Sequence, residues 1–171
     1  MIPDKTASPV GARFEEQFQD HPESAVVTLR AQGHVAKDGV CKVEDCKAVA
    51  EAGPHPLLGG DPSLGCAAEM LLGSLVACAG VTLSQMATAM EIDFREAFIR
   101  AEGDLDFRGS LGLADHVPIG INTLRLHFDV DAEATEEQLA MMVQLTERYC
   151  VVSRTLKPVT KTTFAAISAE R

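Results

Sequence analysis

Residues Cys66 to Met90 constrain this chain more than any other segment. They are rich in Ala, Leu and Met, contain no proline, and read as one long helix. The helix is apolar nearly all round, so it cannot rest on a surface with one wet face and must be buried by the rest of the chain. Its small residues Gly73, Ala77, Ala79 and Gly80 would let another backbone approach closely. The longest apolar run inside it, Met70 to Val81, is interrupted by Gly73 and Ser74 and is too short to cross a bilayer, so no membrane is expected.

The flanking segments read as cover for that helix. Ala25 to Ala31 (AVVTLRA) is a β-branched strand; Val40 to Val43 and Lys47 to Ala52 are weaker strands, with a turn at Lys37-Asp38-Gly39. Phe94 to Asp106 and Ile119 to Val130 follow the helix as strands, the second with Ile121, Leu124, Leu126, Phe128 and Val130 mostly at period two. Gly109 to Pro118 is a loop. Thr135 opens a second helix as N-cap, with Gln138 as capping-box partner and Leu139, Met142, Val143, Leu145 and Thr146 as the inward stripe. A short turn from Cys150 to Leu156 leads to a closing strand, Pro158 to Ile167.

Gly53 to Gly65 (GPHPLLGGDPSLG) is a loop, either a rigid connector or the wall of a pocket, and lacks the Gly-Lys-Ser/Thr ending of a phosphate-binding loop. Met1 to Ser24 is polar with Pro3, Pro9 and Pro22 and is expected as a loose strand or extended arm. The order of elements gives one α+β domain over residues 1–171, its helices packed on antiparallel sheet.

A net charge of -10 argues against nucleic acid, because phosphate binding needs Lys and Arg to displace counterions. Seven Phe, one Tyr and no Trp make a base-stacking platform improbable. Met1 to Val10 lacks a basic region followed by an apolar run, so no signal peptide is expected and the cytoplasm is the expected location. Cysteines there are normally reduced, and a disulfide is more often catalytic than structural.

The chain has five cysteines, and an odd number at irregular spacing is a poor disulfide framework. Cys78 lies inside the long helix, where a thiol by itself reads as a small core hydrophobe. Cys150 ends the second helix between Arg148 and Arg154, cations that lower a thiol pKa when they point at it. Cys41, Cys46, Cys66, His34 and His55 are the residues from which a metal site would be built, but no second pair follows at zinc spacing, so no metal is expected. A hydrolase is not indicated, because no G-x-S-x-G elbow is present.

Three stretches carry a family resemblance. One is the Pro/Gly loop leading into Glu69-Met-Leu-Leu-Gly-Ser-Leu-Val-Ala-Cys78. The others are Ala101-Glu-Gly-Asp104 and Glu147-Arg-Tyr-Cys-Val-Val-Ser-Arg-Thr-Leu156. In order and spacing the region from Gly53 to Val159 resembles the OsmC/Ohr family of peroxide-reducing proteins. That resemblance implies antiparallel sheets wrapped around two long central helices in an intertwined homodimer, with active sites at the subunit interface. It implies that Cys78 is the peroxidatic and Cys150 the resolving cysteine, acting on a hydroperoxide, an organic one preferred. An external dithiol, a lipoylated protein in Ohr-type members, restores both thiols, and no cofactor is needed.

The family sets an Arg and a Glu beside the reactive thiol. Glu69 is the candidate acid, although nine residues on one helix put it about 180° around from Cys78 and roughly 13 Å along the axis. The family's Arg lies in a Gly-rich stretch that here reads Ala31-Gln-Gly-His-Val-Ala-Lys-Asp-Gly39, without arginine. Arg30 is therefore the candidate cation, with Arg13 behind it. Val151 stands where the family often has Pro. The alternative reading is a non-catalytic protein of the same fold that holds a hydrophobic small molecule in its interface cleft.

Overall fold

The computed structural model describes residues 9–35, 41–44, 52–156 and 160–166. In chain order the elements are α1 (Pro9–Asp20), β1 (Val26–Val35), β2 (Cys41–Glu44), β3 (Ala52–Gly53), β4 (Gly65–Cys66), α2 (Ala67–Ala89), β5 (Phe94–Asp106), α3 (Phe107–Ser110), β6 (Ile121–Ala132), α4 (Glu136–Tyr149), α5 (Val151–Thr155) and β7 (Thr160–Ala166). Short 3-10 turns occupy Pro22–Ala25 and Pro56–Leu58. The turn expected at Lys37 to Gly39 and most of the strand expected at Lys47 to Ala52 lie outside the described residues.

Five strands form one sheet in the order β2-β1-β5-β6-β7. β5 sits at its centre, antiparallel to β1 and to β6. The expectation of antiparallel sheet fails at the edge, where β7 pairs parallel with β6. The reason is the connection: α4 carries the chain back to the end where β6 began, and a helical crossover returns the next strand in the same direction.

Strict alternation gives this sheet two unlike faces. Ala97, Ile99, Ala101 and Leu105 of β5 and Leu124, Leu126, Phe128 and Val130 of β6 are buried in the core. α2 packs against that face through Leu72, Leu75, Val76, Ala79 and Leu83. The intervening residues carry charge on the other face. There Arg125 meets Asp104 at 2.6 Å and Glu102 at 3.1 Å, and Arg30 meets Glu102 at 3.1 Å. The Arg125 guanidinium, as hydrogen-bond partner, holds both carboxyls below the usual range.

By length and composition α2 is able to cross a membrane, since it runs 23 residues with a mean hydropathy of 1.6 in its most apolar window. It is longer than the apolar run that the sequence marks out. More than half of that window, 56%, is buried inside the fold, as expected of a core helix. Burial is nevertheless incomplete. Leu71, Ser74, Val81, Gln85 and Thr88 are exposed and Cys78 is only half-buried. These positions recur at spacings of three and four, so they form one stripe along the helix. The described residues cover the rest of α2 and leave this stripe open.

Two further differences from the sequence reading have simple causes. The N-terminal region expected as a strand or arm contains α1, a helix over Pro9–Asp20. Phe14 and Phe18 lie one turn apart and stack with ring centroids 5.2 Å apart; Phe18 is fully buried. The Gly/Pro loop is held at both ends by the short parallel pair β3–β4. A Cβ on Gly60 would fall 1.8 Å from the Pro54 carbonyl oxygen, so only glycine fits there. Thr135 caps α4 as expected, with both capping-box bonds to Gln138 formed.

Phe18→Ala is expected to remove about 3 kcal/mol of stability or more. Urea denaturation should show a lower midpoint with little change in the slope.

Candidate functional site

Cys78 lies in the middle of α2 on the open stripe, half-buried. It occupies a helical position because its neighbours Ala77, Ala79 and Gly80 are small, and Ala79 packs into the core beside it. The next residue on the same face one turn on, Thr82, donates its hydroxyl to the Cys78 carbonyl oxygen at 2.9 Å. Cys78 is therefore fixed by regular helix, not by a loop.

Cys150 is fully buried and serves two elements at once. Its backbone, at φ -68 and ψ 110, leaves the helical region and ends α4. The chain then re-enters a helix, so the expected turn over Cys150 to Leu156 is the single helical turn α5 with Cys150 as its N-cap. The Cys150 sulfur accepts the Ser153 N–H at 3.5 Å, in the role that a Ser or Asp oxygen usually fills. The Cys150 carbonyl accepts the Arg154 N–H at 3.0 Å.

α5 packs on α2, and Cys78 packs against the core cluster that contains Cys150. Burial pushes the Cys150 thiol up to about 11. The Ser153 and Val152 N–H groups pull it down, while the hydrogen bond to Cys78 and a charge on Cys78 push it up further. At neutral pH Cys150 is thus a neutral S–H group beside a more accessible sulfur.

The other sequence candidates lie elsewhere in the chain. Glu69 is exposed in the first turn of α2, about half a turn out of phase with Cys78. Arg30 is exposed on the charged face of the sheet, paired with Glu102, with the sheet between it and α2. Within one chain neither is brought to Cys78. The side chain of Arg13 lies outside the described residues. Arg148 is exposed and lies 5.6 Å from the Tyr149 ring centroid; Arg154 is exposed on α5. Val151 is the first residue of α5, where a missing N–H costs nothing, so Val and Pro are both accommodated there.

Of the residues weighed for a metal site, Cys66 caps α2 and the His55 ring accepts the Leu57 N–H at 3.1 Å. Cys46 and the side chain of Cys41 lie outside the described residues. Among the described residues no three His, Cys, Asp or Glu side chains converge. The sequence reading missed the backbone donors of Val152 and Ser153. Cysteine is not a usual cap residue, so nothing in the local pattern announces them.

A family model described as OsmC-like protein matches residues 60–165. No curated protein matches the chain. Among solved structures, an OsmC-like protein from Mycoplasma pneumoniae superposes with a TM-score of 0.54 at 15% identity, covering 96% of this chain and 98% of its own. An OsmC-like hydroperoxide resistance protein from Jannaschia sp. gives 0.53 at 12% identity over 80% of this chain and 90% of its own. An organic hydroperoxide resistance protein OsmC from Legionella pneumophila gives 0.52 at 13% identity over 82% and 96%. At such identities these three show a shared fold.

The raised Cys150 thiol has a consequence for stability. Its folded-state pKa lies above the ordinary value of 9.0, so the folded state holds the proton more tightly than the unfolded state. The resulting stabilisation is complete below about pH 9 and is lost as pH rises toward 11. The expected loss is on the order of 2–3 kcal/mol. Chemical denaturation across this range should show it, and Cys150→Val should flatten the curve.

Proposed function

The chain belongs to the OsmC-like family, and from that premise we propose that it is a thiol-dependent peroxide reductase that uses Cys78 and Cys150. One observation carries the reading: two free cysteines distant in sequence lie on helices packed against each other, one half-buried and the other fully buried. The accessible sulfur of Cys78 is the one a hydroperoxide reaches. The buried sulfur of Cys150 is shielded from the oxidant and waits beside it.

The chemistry balances with these two groups. The Cys78 thiolate attacks the outer peroxide oxygen, the O–O bond breaks, and the alkoxide leaves and takes a proton to become an alcohol. Cys78 is then a sulfenic acid. The Cys150 sulfur attacks it, and the sulfenic hydroxyl departs with the Cys150 proton as water, leaving a disulfide. An external dithiol, a lipoylated protein being one such reductant, returns both cysteines to thiols by exchange. The apolar neighbours Leu71 and Val81 along the stripe favour an organic hydroperoxide. A chemistry that ends in a disulfide awaiting a reductant suits the reducing cytoplasm.

The open stripe of α2 supports a homodimer in which a second copy covers it. Leu71 and Val81 are 40% and 42% exposed, and Met141, Tyr149 and Val151 nearby in sequence to Cys150 are also exposed. Glu69 and Arg30 stand apart from Cys78 in one chain, so a part for either at the thiol requires the second subunit. The stripe also favours a second reading, in which the dimer cleft holds a hydrophobic small molecule and the thiols take no part.

Treating the reduced protein with one equivalent of an organic hydroperoxide is expected to remove two hydrogens, mapped by peptide mass to a Cys78–Cys150 bond. Cys78→Ser should abolish the reaction, and Cys150→Ser should stop it at the sulfenic acid. Thiols that stay reduced would turn the reading to the binding protein. Val81→Glu is expected to convert a dimer to a monomer in sedimentation analysis, because it places a charge in the buried stripe.

A further inference from the structure

The Gly/Pro loop between β3 and β4 is closed by one imidazole. Pro56 opens its 3-10 turn and has no N–H to satisfy, so Leu57 supplies the first backbone donor of the turn. The acceptor is the side chain of His55, whose Nδ1 takes the Leu57 N–H at 3.1 Å. The His55 carbonyl accepts the Leu58 N–H at 2.8 Å and the Gly60 N–H at 3.3 Å, and the Pro56 carbonyl accepts the Gly59 N–H at 2.9 Å. The His55 ring also lies 5.4 Å from the Phe107 ring of α3, tilted by 46°. Leu57 and Leu58 pack against the core, and the loop runs through β4 directly into α2. His55 therefore ties the turn together by its nitrogen and ties it to the body of the fold by its ring.

The usual caps, Ser, Thr and Asn, accept a hydrogen bond at any pH near neutral. Histidine does not. An imidazole nitrogen accepts only while it carries no proton, and in the imidazolium both nitrogens are donors. A protonated His55 sets an N–H against the Leu57 N–H. The residue is partly exposed, so water delivers the proton. The charged and titratable groups on the surrounding elements are Arg108 of α3, ion-paired with Asp106 at the end of β5, Glu23 of the Pro22–Ala25 turn, and His116 in the loop after α3. In the loop itself Asp61 accepts the Ser63 N–H; beyond it Cys66 caps α2 and Glu69 lies in the first turn of α2. Arg108, the cation on the element that touches the ring, is thus already neutralised by Asp106.

We propose that His55 is a pH-sensitive latch on the Gly/Pro loop. With a neutral ring it caps the 3-10 turn and holds the loop closed against Phe107. With a protonated ring it releases the Leu57 N–H, and the turn from Pro56 to Gly60 opens. The latch is complete while the ring is neutral and is lost as pH falls and the ring takes up its proton. Opening carries Leu57 and Leu58 away from the core at the entry to α2. The device is independent of the chemistry assigned to Cys78 and Cys150.

The test is amide hydrogen exchange of the full chain at neutral and mildly acidic pH. Rates are expressed as protection relative to an unstructured peptide, so the pH dependence of exchange itself cancels. His55→Ala removes the acceptor, and His55→Asn keeps a cap that takes no proton. Of the five histidines only His55 differs among these chains, so a difference between them belongs to it. At neutral pH the Leu57 amide is expected to be about fivefold less protected in His55→Ala, and within about twofold of the unsubstituted chain in His55→Asn. In acid the unsubstituted chain should fall about fivefold, to the alanine level, while His55→Asn holds its protection. The Ile99 amide, in the central strand, is the reference that should stay constant. The imidazole nitrogen NMR shifts give a second reading: at neutral pH Nδ1 should be bare and Nε2 protonated. A proton on Nδ1 at neutral pH overturns the proposal. So does Leu57 protection that survives His55→Ala, that is the same in acid as at neutral pH, or that falls equally in His55→Asn.

Discussion

Burial of α2 against one face of the sheet is the constraint on which the rest of the structure depends. The helix brings Leu72, Leu75, Val76, Ala79 and Leu83 to a sheet face of Ala97, Ile99, Ala101, Leu126 and Phe128. Each fully buried Leu, Ile, Val or Phe contributes roughly 1.5–3 kcal/mol, so these contacts dominate the core. The alternation of β5 and β6 follows from the same requirement. A strand with apolar residues on one face must put its polar residues on the other, and there Arg125, Asp104 and Glu102 neutralise one another.

The same helix sets the position of the thiols. Cys78 is carried on a rigid element, so its place is fixed by core packing on the opposite side of α2. Cys150 reaches it because α4 stops and α5 starts at that residue. One change of backbone direction buries the sulfur and caps a helical turn. The candidate site thus lies where two helix termini pack on a helix middle, beside the flank of α2 that the described residues leave open.

Much of the fold was legible along the chain. α2 and β5 lie within a residue or two of where composition and periodicity put them, because long segments of one period leave little freedom. The capping box at Thr135 and Gln138 was equally readable, since both partners are local. α1 was obscured by its prolines and polar residues, although Phe14 and Phe18 carried the helical spacing. The parallel edge strand was hidden because pairing direction depends on the path of the connection and not on the strand's own residues. The two thiols were singled out through a family pattern. Arg30, the candidate chosen by nearness in sequence to the Gly-rich stretch, sits on the charged face of the sheet because strand alternation sends it there.

Through the family resemblance the sequence singled out Cys78 and Cys150, and by itself it determined that a long apolar helix must be wrapped by amphipathic strands. Those properties are local, set by hydrophobic period, helix propensity and cap chemistry. Only the tertiary structure decided that the elements carrying the two cysteines pack together, and that one thiol is sealed while the other is half-buried. Contact, burial and charge environment arise from segments 72 residues apart being packed together, and no local pattern encodes that distance.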